Sequence, residues 1–191
     1  MDIDITKFLI FNVIDTCSIE NVLSSSTLYR ATINAGCRFC YTKYVEYEML
    51  YKPRKKVSIE SQAIREKLIA ETSSQIFECH NLSIDDLQDV EILEQRKKIG
   101  KGELSSIAYA RKINQSFMTD DQRAKILGIE ILGKTKTYTT PHLLGWLFYT
   151  RELIDSDFHQ IIEEHEKCNR PLSEFFKLAY HESLRLKMLG V

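Results

Sequence analysis

"KFLIFNVID", residues 7–15, is the stretch that decides the fold. Phe8, Leu9, Ile10, Phe11, Val13 and Ile14 follow one another almost without interruption. That is the pattern of a strand buried on both faces, as parallel strands are. Asp15 ends it. Downstream, a polar, serine-rich turn leads to a helix expected to close at Gly36, since glycine accepts the left-handed conformation of a helix end. "CRFCY" (37–41) reads as a second strand and "YVEYEMLYK" (44–52) as the helix after it. A long helix at about 58–75 spaces Ile59, Ile64, Leu68 and Ile69 for one face. "IFECHNL" (76–82) reads as a third strand. The next helix, about 84–97, carries Asp85 and Asp86 in its first turn and basic residues in its last, as the helix dipole prefers. "GKGELSSIAYARKIN" (100–114) starts a helix after a glycine-flanked turn, "SFMT" (116–119) is the fourth strand, and "GIEIL" (128–132) is the expected fifth. Strands alternating with helices predict an α/β fold with a mainly parallel sheet of about five strands. Residues 139–188 read as helices, with Pro141 placed where its missing N–H costs nothing.

Composition limits what such a chain does. Its 191 residues are 43% hydrophobic and 28% charged, enough for one proper core. The expected division is one domain over residues 1–165 and a helical extension over 166–191. No stretch approaches the roughly 18 apolar residues of a membrane span, and "MDIDITK" is acidic where a secretory signal is basic. The expectation is a cytoplasmic protein with no membrane partner. Five cysteines, an odd number, fit reduced thiols in a chain this large. A formal charge of −1 argues against a generally basic nucleic-acid binder and leaves room for local patches, "KPRKK" (52–56) and "RKKIGK" (96–101).

Four segments place acids toward one edge of the expected sheet. Asp15 follows the first strand, and Asp120 and Asp121 follow the fourth in "FMTDDQRAKILG" (117–128). Ligands in open α/β sheets collect outside the carboxyl ends of strands, near the point where strand order reverses. If strands one and four are neighbours, these acids face one crevice. Glu48 lies on the helix after strand two and Glu103 in the first turn of the helix before strand four. Each has a plain alternative as a helix cap, a first-turn acid or a solvated side chain. Two carboxylates about 4 Å apart repel by roughly 4 kcal/mol at an effective dielectric near 20, so four do not converge without a cation or raised pKa values.

In "IDTCSIENVL" (14–23), "YVEYEML" (44–50), "GKGELSSIAYA" (100–110) and "FMTDDQRAKILG" (117–128), the chain resembles the PIN-domain nucleases. These are small metal-dependent ribonucleases that include the toxins of many bacterial toxin–antitoxin pairs. The resemblance runs in order over about residues 7–165 and is closest from 100 to 155, where it looks like the glycine-glutamate branch. It implies a three-layer α/β/α sandwich with added C-terminal helices. It further implies that Asp15, Glu48, Glu103 and Asp121 bind Mg²⁺ or Mn²⁺, that Asp120 is an outer ligand or helper, and that the Thr119 hydroxyl orients a carboxylate or water. The implied activity is endonucleolytic hydrolysis of single-stranded or structured RNA, and the implied partners are an inhibitory antitoxin protein and a second copy in a homodimer. Cys17 stands where members often have Ser or Asn, and Ser18 where an apolar residue is usual. The segment between Glu48 and Glu103 is long, and the final helix has no counterpart in the smallest members. A non-catalytic PIN-like module for RNA binding or protein interaction is the alternative from another class, and a deoxyribonuclease is a third.

Other constellations are expected to be structural. Cys37 and Cys40, with Cys79 and His80 beyond, have zinc-like pieces, yet the first pair falls on a strand where cysteine behaves as a small core residue. His159 and His165 are six residues apart and face different sides of a helix. The stripe Tyr41, Tyr44, Tyr47 and Tyr51 is expected in the core or on a dimer surface.

Overall fold

A computed structural model describes residues 4–53, 58–96 and 99–190. The chain is α/β, with an all-parallel five-stranded sheet. Strand β1 (Phe11–Ile14) is followed by helices α1 (Thr16–Ser24) and α2 (Ser26–Asn34), then β2 (Arg38–Thr42) and α3 (Lys43–Glu46), which continues as a π-helical turn over Tyr47–Tyr51. Helix α4 (Ile59–Ser73), β3 (Phe77–His80), α5 (Ile84–Arg96), α6 (Lys101–Lys112), β4 (Ser116–Met118) and α7 (Gln122–Leu132) come next. A 3₁₀ turn, Lys134–Lys136, leads to β5 (Thr137–Tyr138), and α8 (Thr140–Tyr149), α9 (Asp155–Lys167) and α10 (Ser173–Leu189) close the chain. The strand order is β3-β2-β1-β4-β5. It reverses between β1 and β4, whose register pairs Ile14 with Met118.

Alternation along the strands builds the layers. Ile14, Phe39, Tyr41 and Met118 point into one core, beside Ile19, Leu28, Leu144 and Phe148 of α1, α2 and α8. Val13, Cys40 and Phe117 point into the other, against Leu104, Ile107, Ala124 and Leu127 of α6 and α7. The result is a three-layer α/β/α sandwich. Helix α10 contributes Phe176 and Ala179 to the first core. It lies close to α8 because Gly145 has no side chain: a Cβ there would stand 2.8 Å from Ile5 and 3.3 Å from Ala179.

Several local expectations need correction. The first strand begins at Phe11, and Leu9 and Ile10 before it are 44% and 50% exposed. Their apolar run leaves the sheet along its β5 side, where Phe8 stacks on Tyr138 and Trp146. The serine-rich segment is helical from Thr16 onward, broken at Ser25, whose hydroxyl accepts from Leu28 N–H and caps α2. On α4, Ile64 and Leu68 are buried, but Ile59 and Ile69 are exposed. "GIEIL" is the end of α7, with Ala124, Leu127 and Ile131 three or four residues apart on the second core. The fifth strand is the pair Thr137 and Tyr138, too short to carry a period of its own. Cys37 and Cys40 lie in opposite cores, as small core residues. The tyrosine stripe splits: Tyr41 is buried, while Tyr47 and Tyr51 are exposed. Residues 54–56 of "KPRKK" and 97–98 of "RKKIGK" lie outside the described residues.

Candidate functional site: an acidic crevice at the switch point

The crevice forms where β1 and β4 end side by side. Asp15 N–H donates to Met118 C=O at 3.2 Å, so the two strands remain paired up to the first acid. Asp15 then turns the chain into α1, its Oδ1 accepting from Ser18 N–H at 2.9 Å as an N-cap. Thr119 Oγ1 donates to Asp15 Oδ2 at 2.5 Å and accepts from Asp121 N–H at 3.1 Å. One buried hydroxyl therefore fixes the first acid and the loop after β4.

Asp120 and Asp121 have different jobs. Asp120 accepts four hydrogen bonds: from Ser18 Oγ, from Asn21 Nδ2 at 2.8 Å, and from the N–H and Oγ1 of Thr140. It staples α1 to the start of α8. Asp121 caps α7, its Oδ1 accepting from Arg123 and Ala124 N–H. The cap reading thus holds for Asp121. Thr139 caps α8, and Thr140 after it serves Asp120.

Glu48 and Glu103 approach from the other side. Glu48 sits in the π-helical turn after α3, and Thr16 Oγ1 donates to its Oε2 at 2.9 Å, linking it to the residue after Asp15. Glu103 stands in the first turn of α6, with its Oε2 buried and accepting no hydrogen bond. Two glycines make room for these carboxylates. A Cβ on Gly102 would lie 2.4 Å from Glu48 Oε2, and one on Gly100 would lie 2.3 Å from Glu103 Oε2. Thr42 Oγ1 and Ser105 Oγ, both buried and 2.6 Å apart, hold α6 to the end of β2.

Electrostatics binds the set together. Burial pushes the Asp15 carboxyl up to about 7; the Thr119 and Ser18 donors oppose this, and the charges of Asp120 and Glu103 add to it. Burial also raises Glu103. Its own backbone N–H opposes the shift, Glu48 and Asp121 reinforce it, and Lys52 counters them. Glu103 is therefore the common member of a repelling set that takes in Asp15, Glu48 and Asp121. Among the described residues, neither Asp15 nor Glu103 has an ion-pairing lysine or arginine.

An all-oxygen donor set with an orphaned buried carboxylate oxygen suits a hard divalent cation such as Mg²⁺ or Mn²⁺. Among the described residues, however, no three potential ligands stand close enough to hold an ion together. Asp15, Asp120 and Asp121 instead spend oxygens on Ser18, Thr119, Thr140 and the start of α7. Ser18, Asn21, Thr140, Gly100 and Gly102 were not picked out from sequence as parts of the site. The spacing of Ser18 and Asn21, three residues apart on α1 directly after Asp15, was the available signal for two of them. His165 is buried against Phe176, far in sequence from this crevice and apart from it in the fold. Comparison of the chain with protein-family models and with curated protein sequences finds no match.

Proposed function

We propose that the chain is a metal-dependent endoribonuclease of PIN-like design, hydrolysing phosphodiester bonds of single-stranded or structured RNA. The observation that carries this reading is the placement of buried Asp15 and half-buried Glu103 in mutual repulsion, with no ion-pairing lysine or arginine among the described residues, at the switch point of a parallel sheet. Glu48, Glu103, Asp15 and Asp121, no three of which stand close enough in this structure to share an ion, would have to draw together to hold Mg²⁺ or Mn²⁺. The cation would supply an activated water and shield the nonbridging oxygens of the phosphodiester. Thr119 keeps Asp15 aimed into the crevice, and Asp120 holds α1 and α8 in register through its four donors. An antitoxin-type inhibitor and a homodimer belong to the same proposal.

A second reading has its own support. Asp15 and Asp121 are working helix caps and Asp120 is saturated, which is what a non-catalytic module built on this fold would need. One experiment separates the two. Under the nuclease reading, Mn²⁺ at about 100 times its dissociation constant stabilises the folded chain by roughly 2.7 kcal/mol, seen as a higher melting temperature. It also supports chelator-sensitive cleavage of a single-stranded RNA. No thermal shift and no cleavage would leave the non-catalytic reading.

A further inference from the structure

A groove of about 980 Å³ opens along the outer side of β5, beside the acids and not among them. The segment before β1 forms one wall, and α7 with the 134–136 turn forms the other. Tyr138 and Trp146 line it, and Phe8 stacks against both, with ring centroids 4.7 and 5.2 Å away. Four lysines border this aromatic surface: Lys7, Lys125, Lys134 and Lys136. The acid among the lining residues is Asp4, whose carboxylate is turned to Thr6. Lys136 is pinned at the rim by the backbone and side-chain oxygens of Asn114. The groove is therefore apolar inside, with Phe8 and Tyr138 buried in its floor and Trp146 partly exposed, and cationic around its edge.

Its position gives the charge a purpose. Gln122, which lines the groove, directly follows Asp121. Thr139, also in the lining, directly precedes Thr140, which donates its N–H to Asp120 at 2.8 Å. The groove therefore ends one residue from Asp121 and one residue from Thr140. A chain lying in it must carry regularly spaced negative charge for the lysines and planar apolar groups for the aromatic surface. A single-stranded nucleic acid has both, and bases stack on aromatic side chains without regard to sequence. An acidic protein segment would match the lysines but does not repeat a planar group at every charge as a nucleic acid does.

We propose that this groove holds single-stranded RNA to one side of the scissile bond, with phosphates along Lys7 and Lys125 and a base against Trp146. The scissile bond rests on the nuclease reading above; the surface that carries the strand is the new claim. Trp146 is the only tryptophan in the chain, so its fluorescence reports on this groove. The full-length chain is titrated with a synthetic single-stranded RNA decamer in EDTA, where metal-dependent cleavage is blocked. Saturable quenching of Trp146 is expected, with affinity that falls as salt rises. The double variant Lys7→Ala, Lys125→Ala should bind at least about tenfold more weakly and reduce the slope of log affinity against log salt by roughly 1.4, about 0.7 per lost phosphate contact. Lys177→Ala on α10 should change neither. RNA binding with no response at Trp146, equal affinity in the double variant, or displacement of the RNA by a polyglutamate peptide at lower concentration than by RNA itself would each overturn the proposal. Mn²⁺-dependent cleavage with an unchanged KM in the double variant removes the groove and leaves the nuclease. Quenching that the lysine variants abolish, in a chain that no metal activates, leaves the groove and removes the nuclease.

Discussion

Asp15 and Asp86 are both nearly sealed from water, at 1% and 3% exposure, and both stand at the start of a helix. Their surroundings treat the charge in opposite ways. Burial alone would raise the Asp86 carboxyl, but Lys112 Nζ at 2.9 Å and the Ser83 N–H and hydroxyl outweigh it and hold it below the usual carboxylate range. Ser83 and Asp86 form a reciprocal capping box at the start of α5. Asp15 has donors of the same kind in Thr119 and Ser18 but, among the described residues, no ion-pairing lysine, and like charges gather around it. A buried acid with its own cation completes a fold. A buried acid surrounded by other acids costs stability, and such groups collect where an outside ligand supplies the missing charge.

The largest effect should come from exchanging the acids at these two places. Asp15→Asn is expected to lower Mn²⁺-dependent RNA cleavage by about a thousandfold, the scale of losing a main electrostatic contributor to catalysis. The metal-free chain should be as stable as before or more so, because Asn still caps α1 and the repulsion is gone. Asp86→Ala should do the reverse, costing about 1–2 kcal/mol through the lost capping box and half-exposed ion pair while cleavage stays within about twofold. Cleavage rates and urea midpoints measured on both variants check the pair. Equal destabilisation by both would erase the contrast.

Acidity sharpens it next. Between the unfolded value near 3.8 and the folded value of about 7, Asp15 holds more proton in the folded chain, so its contribution to stability falls as pH rises through that window. His165 runs the other way. Burial, helped by Arg170 and opposed by Glu164, lowers it from 6.5 to about 4, so its contribution is lost as pH falls from 6.5 toward 4. The spans correspond to roughly 4–5 kcal/mol for Asp15 and roughly 3–4 kcal/mol for His165 at most. The two slopes oppose one another in the native chain. Asp15→Asn should uncover a stability that climbs from pH 4 to 6.5, and His165→Leu one that declines from pH 4 to 7, both read from urea midpoints. Parallel profiles for the two variants would mean that neither group is buried as described.

The smallest effect tests the space around the acids. Gly102→Ala puts a methyl group against Glu48 Oε2 and must move that carboxylate. Helix propensity favours the change by up to about 1 kcal/mol. Stability should hold or rise slightly while cleavage drops by about tenfold, on the order of 1.4 kcal/mol in the barrier. Unchanged cleavage would place Glu48 outside the reaction.

Much of this architecture was legible in the residues. The run ending at Asp15, the glycine closing α2 and the acids of α5 are local signals, set by a few neighbouring side chains. The misreadings have the same origin. Leu9 and Ile10 look like strand because they are apolar, though their burial depends on whether another strand lies beside them. "GIEIL" looks like strand in isolation, and only continuity with Ala124 and Leu127 makes it helix. Thr140 looks like a cap, and its bond to Asp120 crosses 20 residues.

Sequence by itself determined the alternation of strands and helices and set acids just past strand ends, because periodicity and capping are short-range properties. Tertiary structure decided that β1 and β4 are neighbours, and so that Thr119 reaches Asp15 across 104 residues. It also decided which buried aspartate received a lysine and which received more acids, because burial and repulsion depend on distance in space and not along the chain.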